Sequence, residues 1–441
     1  MDPSTSKNPS NESAQSEADS HESSSFSRPV DAVLRLRALE ALRHKEFRLL
    51  WYGTIFTSMA TWMDSIARGW LMYELTHSSW QLGLVRGVQA IPTLLLSPIA
   101  GSAADLYSRK TQMIVAQLAD VVLYGWVATM IFTGQIQPWI VYVTSVGLAT
   151  VQAFQQPSRA SMVSDTVPPK YLTNALGLNA VVFNSARSAG PALAGILIAA
   201  FGTGASYSVQ ALFYLLATFW TIALRADNRA APVGKGHGGP AESFSRNMVE
   251  GWKFSWRNDE VRIGLLIVTI SMFLLIPFTT LLPVYARDIL HVGASGQGML
   301  LTSMGIGALF SSILVASLGD RMPRGVVMLG GVALYGILVM IFSASTWYPL
   351  SLIAMFLIGL CHVTSHALIQ TVIQSYSPPE FRGRTMAIFH MTQVILVIGS
   401  MAIGGLAAII GARWAATSMA LTGTALMVAI SLMMPKARQI R

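Results

Sequence analysis

Charge is scarce in this 441-residue sequence: Asp, Glu, Lys and Arg make up 12% of it, where soluble domains carry about 25%. That shortage leaves little room for a soluble domain. Cysteine is almost absent. Cys361 stands alone inside an apolar run, so no intrachain disulfide is available and the thiol reads as packing. There is no Gly-x-x-x-x-Gly-Lys-Ser/Thr loop, which argues against direct use of ATP. No set of Cys, His and acidic residues occurs at metal-ligand spacing, and no cofactor or metal is expected. The first 30 residues are rich in Ser, Asn, Glu and Asp and poor in large apolar side chains. Such a segment cannot offset its ordering entropy, so a disordered tail is expected. It has no basic stretch leading into an apolar one, and a cleaved signal peptide is not expected.

Apolar residues fill the space that charge leaves, at 53% of the chain. They come in runs near the roughly 20 residues that a helix needs to cross the hydrocarbon core. Twelve spans are expected, at 49–74, 81–104, 112–133, 138–158, 176–200, 205–224, 263–286, 297–318, 326–345, 348–374, 384–408 and 413–434. The fold class is therefore an all-α membrane protein. Its expected divisions are a tail with a basic approach over 1–45, a six-helix bundle over 46–225, a linker over 226–262, a second bundle over 263–434 and a basic end over 435–441. In the linker, Phe244, Met248, Trp252 and Trp256 recur every fourth residue. That spacing suits a helix lying along the membrane surface. A plain connection between halves fits it as well.

The bases test the topology. A net charge of +9 could point to nucleic acid, but the bases fall between the apolar runs, as positive-inside orientation requires. With both ends cytoplasmic in a cell (inner) membrane, the cytoplasmic segments hold 25 of the 30 Lys and Arg residues. External loops keep Arg287 and Arg413, and Arg68, Arg86 and Arg187 remain inside spans.

The chain also repeats itself, and a repeat constrains architecture before any other feature does. Asp105 and Arg109, after the second span, return 215 residues later as Asp320 and Arg324. Pro168-Pro169-Lys170-Tyr171 returns 210 residues later as Pro378-Pro379-Glu380-Phe381. One half is followed by its copy.

Two six-span halves, a central loop and this turn together resemble the major facilitator superfamily. Its loop signature, Gly-x-Leu-Ala-Asp-Arg-x-Gly-Arg-Lys, is matched at Gly101, Ala104, Asp105, Arg109 and Lys110, while Ala103, Leu106 and Ser108 depart from it. Within the superfamily, the stretches Trp62-Met63-Asp64 through Thr76 and Asn184 through Gly195 are similar to the enterobactin-exporter-like group of transmembrane secretion effectors. The resemblance covers about residues 45–434 and implies two pseudo-symmetric six-helix bundles. It also implies a gating role for Gly101, Asp105, Arg109, Lys110, Asp320 and Arg324, since such charges can hold one conformation and release another. Marking the membrane edge is the simpler role for the same charges. Gly190, Pro191 and Gly195 resemble the Gly-Pro element of exporters in the fifth helix. A bend is expected there, because Pro removes a helix hydrogen bond.

Ionisable groups inside spans are costly unless they are paired or face water, so they are the candidate transport residues. Asp64 and Arg68 lie one turn apart on the first span, Arg187 lies mid-way along the fifth, and His362 and His366 lie one turn apart on the tenth. The resemblance puts the first and tenth spans beside a central cavity. Proton handling or substrate contact suits the histidines better than a metal, which would need further ligands. Asp120, Arg86 and His390 read as locally paired or snorkelling. The leading function is a secondary active exporter, coupled to protons and acting as a monomer on a small molecule. A siderophore-like, drug-like or other metabolite would fit. A facilitator or importer on the same fold is the alternative, and an intramembrane enzyme using His362, His366 and Asp64 is a weaker one.

Overall fold

The computed structural model describes residues 37–225, 241–318, 322–434 and 436–439, with backbone alone at 37–38, 97–98, 101–106, 241–248, 436 and 439. The N-terminal tail, the Gly/Pro-rich stretch Pro232–Pro240, and Asp320 lie outside these residues, as do the side chains of Phe244 and Met248. Among the described residues the regular structure is helical throughout. In hydrocarbon no water satisfies backbone N–H and C=O groups, and a helix satisfies its own.

The helices run α1 Lys45–Thr76, α2 Ser79–Leu106, α3 Arg109–Phe132, α4 Pro138–Asp165, α5 Leu172–Phe201 and α6 Thr203–Ala223. After the central connection come α7 Ala241–Arg257, α8 Asp259–Ile289, α9 Gly293–Leu318, α10 Arg324–Ala344, α11 Tyr348–Ser375, α12 Pro379–Ile410, α13 Ala412–Met433 and the short α14 Lys436–Gln439. Spans expected as the seventh to twelfth are thus α8 to α13. Eight of the described helices are long and apolar enough to cross a membrane: α3, α5 and α8 to α13. The other four long ones, α1, α2, α4 and α6, run 32, 28, 28 and 21 residues.

The helix ends follow the sequence closely. Asn258 caps α8 by accepting from the Val261 amide at 2.9 Å, a favourable use of Asn. Pro138 and Pro379 sit in first turns, where the missing N–H is no loss. The α5–α6 and α12–α13 connections are each a single glycine, Gly202 at φ 83 ψ 170 and Gly411 at φ 85 ψ 155. That region is open to glycine and closed to side chains. The two di-proline turns also match: Pro168 is at φ −59 ψ 150 and Pro378 at φ −56 ψ 154. In each turn the next aromatic receives the segment leading into a helix group. Tyr171 meets His44 at 5.1 Å and Phe381 stacks on Phe254 at 4.6 Å.

In the first group α1 packs on α5 and α6, α3 on α4 and α6, and α2 on α4. In the second, α11 packs on α9 and α10, and α10 on α13. The two largest contacts between the groups are α5 with α9 and α2 with α12. Both are built on small residues, which let backbones approach. A Cβ at Gly298 would stand 2.6 Å from the Pro191 carbonyl oxygen, and one at Gly83 2.7 Å from that of Ser400. Helix α5 is unbroken through Pro191, and Gly190 and Gly195 there serve close approach, to Trp62 and to Ala294 and Gly298. Irregular backbone lies in α8. It passes through a π turn at Ser271–Leu275, a 3-10 stretch at Ile276–Leu281 and a second π turn at Tyr285–Ile289. Pro277 and Pro283 lie within α8 and lack the amide proton of a regular helix.

Helix α7 docks on α12 through the stacked Phe254 and Phe381 and a 2.8 Å ion pair between Arg384 and Glu250. Its other side exposes Val249, Trp252 and Trp256, with the two indoles stacked at 5.8 Å.

Candidate functional site

Asp64 and Arg68 face each other one turn apart on α1. The Arg68 fork donates to both carboxylate oxygens, Nε to Oδ2 at 2.9 Å and Nη2 to Oδ1 at 2.8 Å. Its remaining arm donates to Ser145 Oγ on α4 at 2.8 Å. An acid at i and a base at i+4 is the favourable helical order, and a bidentate fork is the strongest form of the pair. Asp64 borders a polar void of about 30 Å³ with Arg86, Gln89, Thr279, Thr280 and Gln297. That is room for water, and the polar partners needed to hold it are there.

Beside the void opens a cavity of about 610 Å³ between the two helix groups, within the usual range for small-molecule sites. Helices α1, α2, α5, α8, α9, α11 and α12 all line it. Trp62, Phe183, Met272, Ile276, Leu301, Met304 and Leu396 supply apolar wall, and Arg86, Arg187, His362, His366, Gln370 and Gln393 supply polar groups. The Arg187 guanidinium lies 5.6 Å from the Trp62 ring centre, an attractive cation–π arrangement. His362 and His366 are 5.8 Å apart, with Tyr335 against the first and Phe389 against the second. Among the described residues no group of three His, Cys, Asp or Glu gathers to hold a metal.

The structure therefore brings Asp64, Arg68, Arg187, His362 and His366 to one region. It adds Arg86, for which the sequence suggests local pairing or snorkelling. Arg86 faces the cavity with an exposed side chain, because α2 lies in the contact between the groups. Asp120 also departs from expectation. It is fully buried inside the first group, and neither of its oxygens has a hydrogen-bond partner. His390 is exposed and meets Phe389.

The signature residues separate into several contacts. Gly101 and Asp105 fall in the last turns of α2, where the backbone alone is described, and Asp320 lies outside the described residues. Ser108 caps α3 by accepting from the Thr111 amide at 3.4 Å. Arg109 pairs with Asp165 at the end of α4 at 2.5 Å. Lys110 donates to the Leu224 carbonyl beyond the end of α6 at 2.5 Å, where a cation complements the helix dipole. Arg324 opens α10.

Hydrogen bonds between described residues tie the helix groups together. Tyr73 on α1 donates to Asp288 on α8, and Thr302 on α9 donates to the Ser188 carbonyl on α5 at 2.8 Å. Both lie between the middle of the helices and the ends away from the basic loops.

The described residues form helices around a cavity shared by two helix groups, and comparison with known proteins gives the class. The family described as "Transmembrane secretion effector" matches residues 37–441, and the chain belongs to that family. It is a transporter of a small molecule and not an enzyme. The chain is 23% identical over 366 residues to the staphyloferrin A transporter of Staphylococcus aureus, covering 78% of this chain and 85% of that one. It is 23% identical over 401 residues to macrolide efflux protein A of Streptococcus pyogenes, covering 90% and 96%. In fold it is similar to the nucleoside transporter NupG, with a TM-score of 0.70 at 12% identity over 88% of this chain and 100% of that one.

Proposed function

We propose that the protein is a proton-coupled secondary exporter acting by alternating access. In this reading twelve spans form two pseudo-symmetric six-helix bundles, residues 46–225 and 263–434, joined by the 226–262 linker. Both ends lie on the cytoplasmic side of the cell (inner) membrane, and the monomer is the working unit. The loop charges, the paired di-proline turns and the paired single-glycine connections support that arrangement. Polar residues in α1, α4 and α6 account for their lower apolarity. Export is supported by the efflux relatives and by the Gly190-Pro191 element.

One observation carries the coupling: a carboxylate, Asp64, held by Arg68 and bordering a water-sized polar void beside the cavity. Asp64 exchanges its partner for a proton during the cycle, and Arg68 or Arg187 holds it ionised between turns. Asp105, Arg109 and Lys110, with Asp320 and Arg324, act at the cytoplasmic ends as contacts made in one state and broken in the other. His362 and His366 contact substrate from the second bundle.

The test uses inverted vesicles and a compound that a deletion strain fails to release into its medium. Wild-type vesicles should concentrate it under an imposed pH gradient and lose that ability when the gradient collapses. The double variant Asp64→Asn, Arg68→Gln should express and bind but not concentrate. Gradient-driven export by that double variant would remove Asp64 from the coupling. Topology is checked with cysteines at Gln135, Lys170 and Glu380. Only Gln135 should react with an impermeant reagent from outside intact cells.

A further inference from the structure

We infer that the cavity selects an anion: a substrate with a carboxylate, phenolate or similar acidic group on an apolar or aromatic body. This inference rests on the transporter reading above. Asp64, Arg68 and Arg86 border the void, and Arg86 and Arg187 line the cavity, where no carboxylate stands among the lining residues. Arg68 spends its fork on Asp64 and its last arm on Ser145. Among the described residues, Arg86 and Arg187 have no carboxylate within ion-pair distance. Asp120, the remaining mid-helix acid of the first group, lines neither space and does not balance them.

A third donor points the same way. The Trp62 Nε1–H is buried with no acceptor, on the ring over which Arg187 sits. Buried donors normally have partners, and one without a partner needs an explanation. Here the unmatched groups from α1 and α5 are both donors, and Arg86 adds a third from α2. A planar guanidinium fork matches the geometry of a carboxylate. Facing them, Met272, Ile276, Leu301 and Met304 from α8 and α9 form an apolar wall, which suits the body of the molecule and excludes a bare inorganic ion as the best fit. A cation entering the same space would meet two unbalanced positive charges at reduced dielectric.

Two measurements test this. The first compares the medium of a deletion strain with that of a strain carrying the wild-type chain, sorting restored compounds by electrophoretic mobility at neutral pH. Restored compounds should be anions. Arg86→Gln and Arg187→Gln should each restore about tenfold less, the loss of one charge-assisted hydrogen bond, and Arg86→Lys should recover part of it. Restored compounds that are neutral or cationic overturn the inference while leaving the exporter intact. If nothing is restored, export itself fails, and the second measurement still decides charge. It places purified protein in nanodiscs and follows Trp fluorescence with naphthalene carboxylates and the matched naphthyl ammonium and amide. Tighter binding of carboxylates, weakened by salt and by either Gln substitution, supports the inference. Equal or tighter binding of the ammonium, or no binding by any of the three, overturns it.

Discussion

The first helix group holds charge in its interior, and the second does not. Asp64, Arg68, Arg86, Asp120, Arg159 and Arg187 all lie well inside helices of the first group. In the described part of the second, Asp, Glu, Lys and Arg keep to helix ends, and the groups deep inside that titrate are His362, His366 and His390 with the thiol of Cys361 and the phenol of Tyr335. Backbone shows the opposite contrast. Helix α1 is one regular helix of 32 residues, whereas its counterpart α8 changes helix type along its length. One group carries fixed charge on regular helices, and the other carries imidazoles beside a helix of mixed type.

Breaking the Asp64–Arg68 pair should have the largest effect. A buried charge stripped of its partner costs about 3–5 kcal/mol, so Asp64→Asn or Arg68→Gln alone should sharply lower the amount of folded protein in membranes. Their combination should restore it, as read by size-exclusion chromatography of a fluorescent fusion. His362→Asn with His366→Asn, the matching change in the second group, should leave folded amount near wild type. Equal losses from both groups would erase the contrast.

Next comes Gly298→Leu in the α5–α9 contact. Overpacking against the Pro191 carbonyl should cost about 1–3 kcal/mol in the state where these ends touch. Spin labels at Gln135 and Thr346 should then report a longer distance between the helix groups. Tyr73→Phe should move the same distance in the same direction by less, since it removes one hydrogen bond, about 1.5 kcal/mol to a charged acceptor. The smallest effect on stability should be that of Arg109→Ala. Its pair with Asp165 is partly exposed and contributes about 0.2–1 kcal/mol, so the melting temperature should hardly move. A loss of transport at normal protein level would then support a gating role.

Much of this architecture was legible in the sequence because apolar runs and loop charges are one-dimensional signals. The expected sixth span, 205–224, lies within three residues of Thr203–Ala223 at each end. The Asp64–Arg68 pair was also legible, since i,i+4 on a helix is a contact by geometry. The direction in which each helix faces was not. Lipid is as apolar as a protein interior, so Ile409 and Met433 stand 82% and 81% exposed in this protein and periodicity cannot separate inside from outside. That is why Arg86 and Asp120 both read as locally paired or snorkelling. Gly202 and Gly411 carried a third repeat signal, 209 residues apart, that the motif comparison missed because a lone glycine has no flanking pattern.

Helix α8 carries Thr279, which lines the void beside Asp64, the main cavity and a third space reaching toward Thr93. On either side of it stands a turn wider than the α-helix. A π turn encloses one more residue than an α turn, and each residue of an α-helix subtends about 100°. If that surplus residue passes from one side of Thr279 to the other, the threonine swings by about a quarter-turn while the two ends of the rod stay where they are. Such a rod would work as a screw thread, turning what it presents to the cavity without being withdrawn from the wall.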